Sequence, residues 1–237
     1  LQTSTFPSKP LGHKSYGTIA HLPGSRQGRD DVGINPGHGR ICMEKARDKH
    51  DRIIVLEKLD GTNVSVANID GAIIPLIRAG YPAVSSKWEH HRLFAAWAHE
   101  RLDLFSWLKP GERLCGEWLA QAHGTRYVLT HEPFVAFDIM RNRHERAPWS
   151  EVAERCITLP TAHVLHEGDP LSIPDALALL GEHGHHGAID PVEGAVWRVE
   201  RMGVVDLLAK YVRHEKVDGK YLPEISGGEP VWNWRPH

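Results

Sequence analysis

The chain has 237 residues, 41% hydrophobic and 24% charged, a balance that suits a globular fold and excludes disorder as the main state. Its 28 Lys and Arg against 30 Asp and Glu give a net charge of −2, which excludes a uniformly basic nucleic-acid coat but leaves room for a local basic groove. No apolar run reaches the length of a membrane span, and three scattered cysteines without a Cys-x-x-Cys pair argue against a disulfide framework or zinc ribbon and for a reducing, cytoplasmic setting.

Leu1 to Lys9 hold no signal-peptide core, and the missing initiator Met points to a trimmed or tag-derived start. Residues 1–45 read as a loop-rich N-terminal segment with a short strand at Tyr16–Ile19. Ile53-Ile54-Val55-Leu56 predicts a strand buried on both faces. Asp60-Gly61 and the alternating Val64-Ser65-Val66-Ala67 follow it, a strand–turn–strand pattern that predicts a hairpin. Asp70-Gly71 marks a second tight turn before a strand at Ala72–Arg78. From Trp88 to Leu108 apolar residues recur at three- and four-residue spacing, which predicts one long helix with its tryptophans in the core. Strands are predicted at Arg113–Leu119, Phe134–Met140, Gly194–Val199 and Val204–Val212. A helix opens at Ser172-Ile173-Pro174-Asp175 and closes at Gly181. The class is α+β, an antiparallel sheet with helices packed against it, and no linker marks an internal boundary.

The segment Glu57-Lys58-Leu59-Asp60-Gly61-Thr62-Asn63 carries most of the functional signal. A lysine at the end of a buried strand, followed by a tight turn, places a nucleophile and a backbone loop at one pocket. Alone, Lys-x-Asp-Gly also reads as a hairpin with a surface lysine. Four segments then follow on predicted strands: Gly116-Glu117-Trp118, Phe134-Val135-Ala136-Phe137-Asp138-Ile139, Glu193-Gly194-Ala195-Val196-Trp197-Arg198 and Leu208-Ala209-Lys210-Tyr211-Val212. This ordered set resembles the covalent nucleotidyltransferase superfamily of ATP-dependent RNA ligases, DNA ligases and mRNA capping enzymes. The wording around Lys58 is most similar to the RNA ligase branch.

The resemblance implies an antiparallel-sheet, ATP-grasp-like ligase catalytic domain spanning 1–237 as a single domain. The stretch after Lys210 is shorter than the about 70 residues an OB module needs, so no C-terminal OB module is expected. It implies an ATP-dependent RNA ligase that forms a lysyl-AMP, passes the AMP to a polynucleotide 5′-phosphate and seals that end to a 3′-hydroxyl. An ATP-dependent DNA ligase, or a non-catalytic nucleotide- or RNA-end-binding module of the same fold, is the alternative. Lys58 is the nucleophile, its ammonium destabilised by nearby cations, with Lys210, Arg78 and a bound metal as candidates. Glu57, Asp60 and Gly61 frame the nucleotide, and Glu117 holds the ribose hydroxyls. Phe137 stacks on adenine, Phe134 alternating to the other strand face. Glu193 binds Mg2+ or Mn2+, and Lys210 neutralises the α-phosphate. Relatives often carry two lysines two apart on the last strand; here Leu208 and Val212 occupy the alternates. Arg78 sits where ligases often carry an arginine near the ribose or the nick and is a candidate for binding the nucleotide and the nucleic acid; Arg26, with Ser25, is a second candidate nucleic-acid contact. The implied cofactor is ATP as AMP donor with the metal. The implied partner is RNA with 5′-phosphate and 3′-hydroxyl ends, aided by an accessory end-processing or RNA-binding protein, with no membrane partner. The Gly181–Gly187 histidine-rich stretch reads as a solvated loop rather than a metal site, and Trp232 and Trp234 as a tail packed back onto the core.

Overall fold

A computed structural model describes residues 8–236, so most of the Leu1–Lys9 reading lies outside the described residues. In chain order the elements are β1 (Ala20–His21), α1 (Pro36–Met43), β2 (Asp51–Lys58), β3 (Thr62–Ile69), β4 (Ala72–Ile77), α2 (Glu89–His99), β5 (Glu112–Trp118), β6 (Phe134–Arg141), β7 (Glu145–Arg146), α3 (Trp149–Arg155), β8 (Val164–Gly168), α4 (Ile173–Leu180), β9 (Gly194–Arg201), β10 (Val204–Val212) and α5 (Pro223–Ser226). They divide between two compact units, each assembled from three separated segments. Of the described residues, 8–17, 62–118 and 134–160 make the first, and 18–61, 119–133 and 161–236 the second.

The second unit holds a five-stranded sheet in the order β1-β10-β9-β2-β8. Its pairings are antiparallel except for β1, which runs parallel to β10 with Ala20 opposite Ala209. The strand expected at Tyr16–Ile19 therefore starts later, at Ala20. Ile53, Val55, Ala195, Trp197, Val199 and Ala209 form one face of this sheet and pack with Leu22, with Cys42 of α1 and with Ala176 of α4. Two helices cover that face, and both have legible starts. Asn35 accepts the Gly37 N–H at 2.8 Å ahead of Pro36, and Ser172 accepts from Asp175 with Gly181 closing α4 at φ +68°. The first pattern is an N-cap followed by proline at the first helical position, which composition-level reading passed over as loop.

The first unit holds a second five-stranded sheet, β4-β3-β5-β6-β7, antiparallel throughout. Asp70 and Gly71 both take positive φ, 53° and 89°, the requirement of a tight two-residue hairpin turn. Asp60-Gly61 does not: neither residue has positive φ. β2 pairs with β8 and β9 while β3 pairs with β4 and β5. The expected hairpin is instead the place where the chain leaves one sheet for the other. The long helix is also shorter than its periodicity implies. α2 stops at His99, a 3-10 turn over Leu102–Phe105 carries Leu102, Leu104 and Phe105, and Leu108 lies beyond both. Phe94, Trp97, Phe105, Trp118 and Phe134 form one buried ring cluster with centroids 5.4–6.2 Å apart. Trp88, expected in that core, is 42% exposed. Among the described residues no helix is long and apolar enough to cross a membrane.

Candidate active site

Strand alternation sets the site in the second unit. Lys58 is the last residue of β2, opposite Gly194, and Leu56 stands opposite Val196, which stands opposite Lys210. Residues across from one another share a sheet face, so Lys58 and Lys210 lie on one face, the face not covered by α1 and α4. His21 of β1, opposite Lys210, joins them.

The Lys58 ammonium donates to Glu193 Oε2 at 2.6 Å. Burial raises the Glu193 carboxyl above its usual range, against the opposing pull of Lys58. The next residue must be glycine. Gly194 has φ +154°, and a Cβ there would collide with the Tyr211 carbonyl of β10. The Glu-Gly pair of the motif thus lets β9 and β10 close up directly beside the carboxylate.

Lys210 Nζ lies 3.5 Å from Asp31 Oδ1, and Asp31 also meets His21 Nε2 at 3.2 Å. Burial, followed by the charge of Lys58, pulls the Lys210 ammonium below its ordinary value, with Asp31 opposing. Against the cost of burial, the Gly28 amide, Lys210 and His21 hold the Asp31 carboxyl below its ordinary range. Neither His21 nor Asp31 stands out in the sequence, because both lie in the loop-rich start and reach Lys210 only through the parallel pairing of β1.

Asp60 is a hub. Its Oδ2 accepts the Gly124 N–H at 3.0 Å and the Lys216 ammonium at 2.7 Å, and its own N–H donates to the Tyr127 hydroxyl at 3.1 Å. Lys216 also donates to Thr125 Oγ1, and it is 7% exposed. A second buried lysine therefore does serve the motif, but from six residues past Lys210, beyond the end of β10. Strand alternation could not reveal it.

Glu57 points the other way, to the helix-covered face beside Ala195 and Tyr211. Its Oε2 accepts the His185 N–H at 2.8 Å, and Gly184 approaches so closely that a Cβ there would collide with the carboxylate. Burial raises the Glu57 carboxyl, opposed by His185. The histidine-rich stretch is thus largely exposed, as read, but it is anchored through the His185 N–H and the buried His186. The His185 ring stacks on His163 with centroids 3.7 Å apart, and buried His186 meets His131 at 3.0 Å. Among the described residues no group of three or more His, Cys, Asp or Glu could hold a metal ion.

The other expected residues are placed as follows. Arg26 pairs with Asp218 at 2.7 Å, while Ser25 spends its hydroxyl on His21 and on the Val212 N–H, which ties β10 to the loop rather than opening an anion site. The tail packs as read: Asn233 donates to the Leu119 carbonyl and Trp234 N–H to that of Ala120. Glu117, Phe137 and Arg78 belong to the first unit. Glu117 of β5 lies opposite Asn63 and Val135. Next to it, a Cβ on Gly116 would come within 2.5 Å of the Phe134 ring. Cys115 pairs with Asp138 and Gly116 with Ala136, so Phe137 is the extra residue of a bulge, a device that re-aims a side chain. Its ring meets Tyr16 edge-on at 5.2 Å, while Phe134 is buried in the ring cluster. Exposed Arg78 donates to the Gly17 carbonyl at 3.2 Å.

A lysine held against a carboxylate, a second ammonium on the same face and a turn pinned by a third lysine could, once the first lysine is deprotonated, serve attack on a phosphorus centre. A family profile described as RNA ligase matches residues 51–212. Among solved structures, a Naegleria gruberi RNA ligase mutant with ATP and Mn is 14% identical with a TM-score of 0.54, the match covering 83% of this chain and 60% of that one. An Aquifex aeolicus protein provisionally named an ATP-dependent DNA ligase is 17% identical with a TM-score of 0.52, over 83% of this chain and 49% of that one. An archaeal ATP-dependent RNA ligase is 25% identical with a TM-score of 0.49, over 68% and 42%. The chain thus spans about half the length of these structures. No curated protein sequence matches it significantly.

Proposed function

The chain belongs to the RNA ligase family, and from that premise we propose that it is the catalytic part of an ATP-dependent RNA ligase that works through a lysyl-AMP. The observation that carries the reading is the Lys58 ammonium held at 2.6 Å by Glu193 on the face that also bears Lys210. The Lys58 amine, once deprotonated, attacks the α-phosphorus of ATP. A P–N bond forms, the bond to the bridging oxygen breaks, and pyrophosphate leaves. A 5′-phosphate oxygen then attacks the same phosphorus and frees the lysine. Finally a 3′-hydroxyl attacks the activated 5′-phosphate, forming the phosphodiester and releasing AMP.

Lys210 repels the Lys58 ammonium, which favours the neutral amine, and its charge meets the charge gathering on the phosphate oxygens. Asp60, locked by Lys216 and Gly124, fixes the turn beyond Lys58. Glu193, a buried oxygen donor, fits a divalent cation of the kind that takes one or two protein carboxylates plus nucleotide phosphates. When bound, such a cation neutralises phosphate charge. Glu117 and Phe137 are assigned to ribose and adenine, and Arg78 and Arg26 to the polynucleotide. Glu57, turned away from Lys58, supports the strand from behind.

Labelled ATP with Mg2+ or Mn2+ should transfer one acid-labile AMP to the protein, and GTP should not. Lys58→Ala should carry no label, and a labelled Lys58→Ala protein removes the assignment. Nicked duplexes with RNA or DNA on either side of the break distinguish an RNA from a DNA ligase by which is sealed. A parent that binds ATP without acquiring label identifies the non-catalytic module.

A further inference from the structure

We propose that the turn leading into α2 is a stacking surface for a single-stranded segment of polynucleotide, an inference that rests on the ligase reading for its substrate class. Trp97, Trp118 and Trp197 are at most 1% exposed, whereas Trp88 is 42% exposed, and Val84 of the same turn is 63% exposed. A large ring left in water is informative where a small domain could have buried it.

The surroundings say what it fits. Lys87 Nζ stands 4.6 Å from the Trp88 ring centre. The His90 ring lies nearly parallel to Trp88, at 20° and a centroid distance of 6.4 Å, and His91 follows at 4.3 Å from His90. Exposed Arg92 adds a further cation, and Glu89 is the one acidic residue of the run from Val84 to Arg92. Aromatic faces interleaved with cations match a chain of π-faced bases on a phosphate backbone, the pairing that binds single strands without base readout.

The turn is also held in shape. Arg92 NH1 donates to the carbonyls of Ser86 at 2.9 Å and Lys87 at 2.7 Å, and Ser86 Oγ meets His91 Nδ1 at 2.7 Å. The backbone carrying Trp88 and Lys87 is thereby ordered before any ligand arrives, which reduces the ordering cost of binding.

The test uses the full chain and a 5′-phosphorylated twelve-nucleotide oligouridylate, with binding read by fluorescence anisotropy and self-adenylylation by labelled ATP in the absence of RNA. Trp88→Ala should weaken binding by roughly 5- to 150-fold, the range for losing one base–aromatic stack, and Trp88→Phe should recover most of it. Lys87→Gln should flatten the slope of log K against log salt by about 0.7, the single-strand value for one phosphate contact. Self-adenylylation should be unchanged in all three. Trp88→Ala binding within twofold of the parent, or a parent that does not bind the oligonucleotide, overturns the proposal, and a surface that serves a protein partner would give that result. The two readings fail separately. A parent that takes no AMP label yet binds RNA through Trp88 keeps this surface and loses the ligase, and the reverse pattern does the opposite.

Discussion

Replacing Lys216 by Met tests whether a charge outside every recognisable strand pattern holds the nucleophile's turn. The Lys216 and Asp60 side chains are 5% and 12% exposed and meet at 2.7 Å, so removing the cation leaves a largely buried carboxylate without its ion-pair partner, beside the Gly124 N–H. Breaking one partner of a buried pair costs about 3–5 kcal/mol. At about 2–4 °C per kcal/mol for a chain of this size, the melting temperature should fall by roughly 6–20 °C. AMP transfer measured well below the new midpoint should slow about a hundredfold, the usual consequence of displacing a reacting group by about 1 Å. The double variant Lys216→Met with Asp60→Asn should regain much of the stability, because no uncompensated charge remains, while transfer stays slow. Lys216→Arg should recover only part, since the space around the lysine's end is narrow enough that a Cβ added at Gly124 would stand 3.0 Å from its terminal carbon. The reasoning fails if Lys216→Met melts within about 2 °C of the parent and labels at the parental rate.

Three further outcomes follow from the same geometry. Gly194→Ala, which forces a Cβ into the Tyr211 carbonyl at φ +154°, should cost at least about 2 kcal/mol, read as a lower urea midpoint at unchanged slope. His186 is pushed down to about 4 by burial and then by the charge of His131. The folded protein therefore keeps it neutral while the unfolded chain protonates near 6.5. Stability should fall as pH drops below about 6.5 and level off below about 4, by a total of about 3 kcal/mol, and His186→Asn should flatten that part of a stability-against-pH curve. Glu193→Gln should slow AMP transfer about a hundredfold, or roughly 3 kcal/mol; single-turnover labelling within threefold of the parent would remove Glu193 from the site.

The strand-borne part of the site was legible because alternation and β-branched runs are local signals. Lys58, Glu117, Phe137 and Lys210 all lie on strands where the pattern places them, and Glu193 immediately precedes one. What was misread depends on partners distant in the chain. Asp60-Gly61 looks like Asp70-Gly71, yet its carboxylate is taken by Gly124 and Lys216, and no hairpin register forms. Lys216 and Asp31 come from loops and His21 from a two-residue strand, where no periodicity announces the contact. The histidine-rich stretch is largely solvated, as its composition suggests, but its anchor was not legible: Glu57 fills the space a side chain on Gly184 would need. Trp88 shows the reverse error, since helical spacing assigned to the core a ring that lies just before the first turn of α2, on extended backbone.

The interleaving of the two units imposes an order of events during synthesis. The strands of the first unit's sheet are all translated by Arg146, but β2 finds neither neighbour until β8 and β9 exist, at Val164 and beyond. At about 5–20 residues per second, Ile53-Ile54-Val55-Leu56 therefore waits roughly 5–20 s with both edges open. This is the β-branched, uncharged kind of segment that pairs with copies of itself. Asp51 and Arg52 before it, and Glu57 and Lys58 after it, bracket the run with charge, the placement that discourages such pairing. Lys58, the proposed nucleophile, thus also belongs to the charged bracket around this run.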